Sequence, residues 1–159
     1  MFLEEKIDKL KSKFSPADFR VPYTDGIGIL KSIERKFIIT RDIYHDLNNL
    51  RKYHNDWADN IKSKVEIKLV TISNQIEWLD HLDCNTNYWT VITQGNVSKL
   101  KHLVYDCKPI SLFALFSLTQ SDFFVIDKKY NWLTYFKVDA QNNQARIYKS
   151  GKKITPFES

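Results

Sequence analysis

The sequence predicts an α+β (mixed α/β) domain in which a helical N-terminal third precedes a sheet of about five strands with helices packed on it. Three observations predict this class. Apolar residues recur at helical spacing in the first part of the chain, apolar and polar residues alternate in the last part, and only four Gly and four Pro interrupt the 159 residues. With 43% hydrophobic residues, we expect a single domain over residues 1–159.

The N-terminal third contains three predicted helices. Residues 2–14 form an amphipathic pattern that ends before SPADF. A second helix follows a cap at Thr24 or Asp25 and has an apolar stripe in ILKSIERKF. The third and longest helix covers about 42–63, where apolar residues alternate steps of four and three.

The middle of the chain mixes predicted strands and helices. KVEIKLVTI alternates charged and β-branched residues, which predicts a strand at 64–71 with Glu66 and Lys68 on one face. SNQIEWLDHL predicts a short helix capped by Ser73, and YWTVIT predicts a strand. NVSKLKHLVYDC has helical spacing, and a further, largely buried helix is expected to open at Pro109.

The last third predicts an antiparallel three-stranded meander. Its strands are FFVID, WLTYFKV and ARIYK, and its turns are DKKYN and DAQNN. Alternation along the strands predicts that Phe124, Ile126, Trp132 and Phe136 pack in the core. The turns and the outer face of the meander are then expected to be exposed.

Basic residues concentrate in this last third. From Lys128 to Lys153, seven Lys or Arg stand against one acidic residue, and the whole chain has a formal charge of +5. The exposed end of the hairpin and the outer face of the meander are therefore the candidate contact surface. The predicted partner-binding residues are Lys128, Lys129, Tyr130, Tyr135, Lys137, Arg146 and Lys149.

The same basic residues make nucleic-acid binding an alternative function. Lysine and arginine side chains contact phosphates, and aromatic side chains can stack on bases. The specific pattern of an RNA-recognition sheet is absent, because no glycine occurs from Asp122 to Ser150. The sequence thus contains side chains that could contact phosphates but no motif that is specific for nucleic-acid binding.

We expect no metal site and no cofactor. His81 with Cys84, and His102 with Cys107, have loosely zinc-like spacings. The first pair falls at a predicted helix end and the second spans a helical stripe, whereas structural zinc ligands sit on knuckles and turns. Both cysteines are therefore predicted to be free thiols.

We also expect no enzyme, because no residues form a coherent catalytic set. Cys107 is a candidate nucleophile only because Lys108 is its neighbour along the sequence. Glu66 and Lys68 give the E-x-K spacing of metal-dependent nucleases without the upstream aspartate on a neighbouring strand. A cryptic nuclease or hydrolase around these residues remains an alternative.

Two further groups of residues receive structural interpretations. His45 and His54 share a predicted helix with several aspartates, and we interpret them as a surface and a core histidine. Gly26 and Gly28 precede a helix as phosphate-binding glycines do, but the Gly-Lys-Ser/Thr ending is missing. They are predicted to serve the turn and the cap.

The chain is expected to be cytoplasmic and to have no membrane partner. Its longest apolar run, ISLFALFSL, is far shorter than the roughly 20 residues that cross a bilayer. The N-terminal FLEEKIDKL places charges where a signal peptide has an apolar core.

The run FFVIDKKYNWLTYF, preceded by EWLDHLD and followed by YKSG, resembles the terminal hairpin of a family of small bacterial α/β proteins. These are immunity proteins encoded beside polymorphic or contact-dependent growth-inhibition toxins, and the resemblance covers about the last 90 residues. It implies a non-enzymatic module that binds a cognate toxin domain and blocks its active site or its access to substrate. The family shares no catalytic motif that could be carried over.

The chain departs from this family in one respect. Immunity proteins against nucleases are often acidic, whereas the C-terminal third of this chain is basic. A nuclease partner would therefore have to meet the acidic residues between Asp42 and Asp59, or those at Glu77, Asp80 and Asp83.

Overall fold

One seven-stranded antiparallel sheet organises the chain, and the computed structural model describes residues 3–39, 57–93 and 103–152. The strand order is β1-β4-β3-β5-β6-β7-β2. The mixed α+β class is confirmed, but the sheet is larger than the five strands expected. The elements in chain order are α1 (Leu3–Lys11), β1 (Phe19–Arg20), α2 (Gly26–Phe37), β2 (Val65–Thr71), α3 (Gln75–Leu79), β3 (Tyr88–Ile92), β4 (Val104–Cys107), α4 (Pro109–Thr119), β5 (Phe123–Ile126), β6 (Trp132–Asp139) and β7 (Gln144–Gly151).

The C-terminal meander is confirmed. β5, β6 and β7 are consecutive neighbours in the sheet, and all three are antiparallel. β2 adds to the far side of β7 and forms one edge of the sheet, while the two-residue β1 forms the other. The meander is thus flanked by β3 and β2, which both precede it in the chain.

The predicted helix in NVSKLKHLVYDC is wrong over its described part. Residues 104–107 form strand β4, which lies between β1 and β3. All four of its residues are buried, so both faces of the strand are covered and no polar alternation reveals it in the sequence. Residues 94–102 lie outside the described residues.

The predicted N-terminal helices differ in outcome. α1 and α2 are confirmed, and Asp25 caps α2 by accepting a hydrogen bond from the Ile27 N–H at 3.1 Å. Residues 40–56 of the predicted third helix lie outside the described residues. Its described end is a turn at 57–59 followed by a bridge from Ile61 to Ile38. The short α3 is capped by Asn74 and not by Ser73 as predicted.

Both faces of the sheet are covered by aromatic packing. On one face, Trp78 from α3 stacks on Phe123 and Phe136, with ring centroids 5.9 and 5.7 Å away. On the other, Trp57 packs edge-on against Phe124 at 5.4 Å, which follows because Phe123 and Phe124 point to opposite faces of β5. Tyr135 lies next to Phe124. The four core residues predicted for the meander are all buried.

Candidate partner-binding surfaces

The predicted contact residues do not form one surface. Lys128, Lys129 and Tyr130 lie in the turn before β6, whereas Lys137 pairs across strands with Arg146 near the other end of β6. The five-residue step from Trp132 to Lys137 spans about 16 Å. Lys149 pairs with Thr134, which places it on the opposite face of the sheet from Lys137 and Arg146. The basic residues are therefore divided among three places.

Lys128 is part of an internal charge cluster. Its Nζ lies 2.8 Å from Asp106 Oδ2 and 4.4 Å from the centre of the Trp89 ring. The Asp106 side chain is only 2% exposed, and it also accepts hydrogen bonds from Arg20 Nε at 2.9 Å and Asn87 Nδ2 at 2.9 Å. Lys128 therefore fastens the hairpin turn to β4, and it shares the Asp106 carboxylate with Arg20.

Tyr135 was expected to face outward, and this expectation is wrong. Its side chain is 3% exposed because the sheet is covered on both faces. The hydroxyl donates a hydrogen bond to Asp122 Oδ2 at 2.6 Å, and burial together with that carboxylate raises the pKa of Tyr135 well above its ordinary value. Tyr135 therefore presents almost none of its side chain to a partner.

The remaining predicted residues have different surroundings. Arg146 donates to Glu66 Oε1 at 2.6 Å, and this hydrogen bond raises the pKa of the guanidinium. Tyr130 is half-buried and has a φ of 56°, a left-handed conformation that the turn requires. Lys129 and Lys137 are exposed.

The Glu66–Lys68 pair is not assembled as predicted. A β-bulge between the two residues shifts the register, so Glu66 stands opposite Tyr148 and Lys68 opposite Ile147. Adjacent residues of β7 point to opposite faces, and the two side chains therefore do the same. Lys68 Nζ lies 2.5 Å from Asp80 Oδ2 instead. An E-x-K metal pair does not form here.

The cysteines and the described histidine also lack a site geometry. Both cysteines are free, as predicted. Burial raises the pKa of Cys107 to about 12, so its thiol stays protonated at neutral pH. Burial lowers the pKa of His81 to about 4, and its ring packs 5.6 Å from that of Phe136. Among residues 3–39, 57–93 and 103–152 no group of three His, Cys, Asp or Glu could hold a metal ion. His45, His54 and His102 lie outside these ranges.

The structure contains a cleft that the sequence analysis did not find. It is open to solvent, has a volume of about 600 Å³ and lies between the end of α3, the turn that follows it and the start of α4. More of its surface is apolar than polar. The lining residues are Asp18, Leu79, Asp80, Leu82, Cys84, Asn85, Lys108, Pro109 and Ile110.

Hydrogen bonds fix both walls of the cleft. At the start of α4, the Lys108 N–H and the Ser111 hydroxyl both donate to the Asp18 carbonyl at 2.9 Å. In the turn after α3, the Asn85 N–H donates to Asp83 Oδ1 at 2.9 Å, and the Asp83 N–H donates to the Tyr88 hydroxyl at 2.9 Å. The cleft is thus formed in advance, which reduces the ordering entropy that a ligand would otherwise cost.

Ile110 is the most conspicuous apolar residue of this cleft. Its side chain is 62% exposed at the second position of α4. The sequence contained a signal for this, because Leu112, Leu115 and Phe116 form the buried stripe and Ile110 falls outside it. The near-absence of polar residues in PISLFALFSL hid that signal.

Comparison with protein-family models, with curated proteins and with solved structures finds no match to this chain. Within the part of the chain that the structure describes, no helix has the length and apolar character needed to cross a bilayer.

Proposed function

We propose that this protein is a non-enzymatic protein-binding module, and most concretely an immunity protein that binds and neutralises a cognate bacterial toxin domain in the cytoplasm. The observation that supports this best is the preformed cleft with Ile110 at its mouth. Such a concave, partly apolar site can receive an anchoring side chain of a protein partner. The resemblance of FFVIDKKYNWLTYF to immunity-protein hairpins supports the class of partner.

The chemistry of the cleft favours binding over catalysis. Cys84 is the one thiol among its lining residues, Lys108 and Asp18 pair with each other, and no histidine lines the cleft. A thiol without a neighbouring base is a poor nucleophile. His81 is close in sequence, but its ring is buried against Phe136 and its lowered pKa keeps it neutral. These residues do not combine nucleophile, base and orienting group.

Nucleic-acid binding is less well supported than protein binding. Two of the cations expected to contact phosphates, Lys128 and Arg146, already pair with Asp106 and Glu66. Binding a phosphate would require it to compete with these carboxylates, and Lys149 lies on another face of the sheet. If nucleic acid were nevertheless the partner, affinity would fall steeply between about 50 and 200 mM salt.

The proposal is tested with toxin-like domains encoded next to the gene for this chain. We expect coexpression to restore growth of cells that produce the toxin domain, and the two purified proteins to form a stoichiometric complex in size-exclusion chromatography. Absence of both rescue and complex with every adjacent toxin-like domain would refute the immunity function.

A matched pair of variants tests whether the cleft is the site. Ile110→Ser removes the exposed apolar side chain, and we expect it to weaken the complex by about tenfold, the loss of roughly 1.4 kcal/mol of apolar contact. Leu69→Ser is the control, because Leu69 is also exposed, at 47%, but lies on the β2 edge of the sheet. Both proteins should be shown to be folded by circular dichroism. Equal affinities of the two variants would assign the interface to another surface.

A further inference from the structure

We propose that the cleft selects a basic segment of its partner, in which an apolar side chain enters beside Ile110 and a flanking Lys or Arg pairs with carboxylates at the rim. This inference rests on the proposed function, because it names the chemistry of the partner that the module would bind. The basic C-terminal third would by its charge suit an acidic partner instead.

The lining of the cleft offers an apolar surface to a partner. Leu79, Leu82, Pro109 and Ile110 supply its apolar surface, and Ile110 exposes most of its side chain to solvent. Covering such a side chain with an apolar group of the partner is favourable by roughly 25 cal/mol for each Å² removed from water. The fixed walls restrict this gain to a side chain that fits the cleft.

Two ion pairs lie at the rim of the cleft. Lys108 Nζ lies 3.2 Å from Asp18 Oδ1, and Lys68 Nζ lies 2.5 Å from Asp80 Oδ2. In both pairs the carboxylate is more exposed than the lysine. The Asp18 side chain is 30% exposed and that of Lys108 26%. The Asp80 side chain is 43% exposed and that of Lys68 23%. The exposed Asp83 adds a third carboxylate in the turn next to the cleft. The opening therefore presents three carboxylates against two lysines, a net charge of −1, in a chain of formal charge +5.

These carboxylates can accept a further cation. An ionised carboxylate offers about four lone-pair sites, and the ion pair with lysine uses one or two of them. An arriving guanidinium can form two parallel hydrogen bonds to the same group. An acidic segment would instead bring its carboxylates against Asp18, Asp80 and Asp83, so the sign of the preferred partner is determined by the rim.

Three synthetic peptides of equal length test this preference on the full chain. The first carries a Trp flanked by Arg and Lys, the second carries the same Trp flanked by Glu, and the third keeps the basic residues and replaces Trp with Ala. Binding is followed by ¹H–¹⁵N chemical shifts at low salt. We expect the first peptide to shift the amides of Asn85, Lys108 and Ile110, and the other two to bind at least about tenfold more weakly.

Variants of the rim separate charge from shape. Asp80→Asn combined with Asp83→Asn keeps the side-chain size and removes two charges, so the basic peptide should bind about three- to tenfold more weakly, with a smaller difference at high salt. Asp139→Asn is the control, because Asp139 is exposed at the end of β6 and does not line the cleft. The affinity of the Asp139→Asn variant for the basic peptide should equal that of the wild type.

The outcomes distinguish this inference from the proposed function. Equal or tighter binding of the acidic peptide, shifts confined to another surface, or no shifts at millimolar peptide would overturn the inference. A toxin-domain complex that is unaffected by Ile110→Ser and by the double Asn variant would also overturn it, while leaving the immunity function intact. Peptide binding in the cleft without any toxin-domain complex would refute the function and leave the preference for basic segments standing.

Discussion

The C-terminal hairpin and the cleft beside α4 differ in a way that their sequences do not suggest. The hairpin is rich in lysine and aromatic residues, yet Lys128 is bound to Asp106 and Tyr135 is bound to Asp122 inside the sheet. The cleft is formed by segments that have no such concentration of lysine and aromatic residues, yet it exposes Ile110 and the carboxylate of Asp80. Charge and aromatic content therefore identify a contact surface only where the side chains stay exposed in the folded chain.

Removing the carboxylate at the centre of the hairpin cluster should have the largest effect. Asp106→Ala leaves Lys128 and Arg20 partly buried without their common partner, and we expect a loss of about 2–3 kcal/mol in the free energy of unfolding. Urea denaturation at pH 7 measures it. Asp139→Ala removes exposed hydrogen bonds from Asn142 and should lower the urea midpoint much less. Equal midpoints of the two variants would show that the Asp106 cluster does not stabilise the hairpin.

Gly151 tests how tightly the turn between β5 and β6 packs against the end of β7. It has a φ of +96°, and a Cβ at this position would overlap the Asn131 carbonyl oxygen. Gly151→Ala should therefore destabilise the protein by about 2 kcal/mol in the same urea experiment. Gly28→Ala is the matched control, since a Cβ there meets only Asp25 atoms at 3.6 Å or more. Because Gly28 lies in α2, that change should stabilise by up to about 1 kcal/mol.

The buried His81 makes the free energy of unfolding depend on pH. Its pKa falls from 6.5 to about 4 on folding because burial disfavours the charged ring, with Lys68 acting in the same direction and Asp80 against it. The stabilisation is complete above pH 6.5 and is lost as the pH falls towards 4. We expect about 2 kcal/mol of stability to be lost between pH 7.5 and pH 5.

Urea denaturation across this pH range checks the prediction for His81. His81→Phe preserves a ring that can pack on Phe136 and removes the titrating group. The free energy of unfolding of this variant should change less between pH 7.5 and pH 5 than that of the wild type. Identical pH dependences would contradict the assignment to His81.

The neighbouring lysines of the hairpin turn give the smallest and most direct comparison. Lys128 contacts Asp106 and the Trp89 ring, so Lys128→Ala should cost about 1 kcal/mol, reduced from the value of a fully buried pair because the side chain is 32% exposed. Lys129 is exposed, and Lys129→Ala should give no measurable change. Equal stabilities of the two variants would remove the distinction between a structural and a free lysine.

Periodicity identifies an element most reliably where one of its faces differs from the other. The stripe in α2 and the alternation in β7 were sufficient, because each has an exposed side that identifies its period. β5 and the first five residues of β6 are buried on both faces, so alternation placed Tyr135 wrongly. β4 was mistaken for a helix because all its residues are buried and no polar side exists. The register change at Glu66 depends on an extra residue in one strand, which alternation alone does not reveal.

By itself, the sequence determined the mixed α+β class, the C-terminal meander and the core positions of Phe124, Ile126, Trp132 and Phe136. These follow from local periodicity, which the chain records directly. Only the tertiary structure decided that Lys128 meets Asp106, that Tyr135 is covered, and that Ile110 and Asp80 open onto one cleft. Those relations join segments far apart in sequence, and packing of the sheet against its helices determines which side chains remain exposed to a partner.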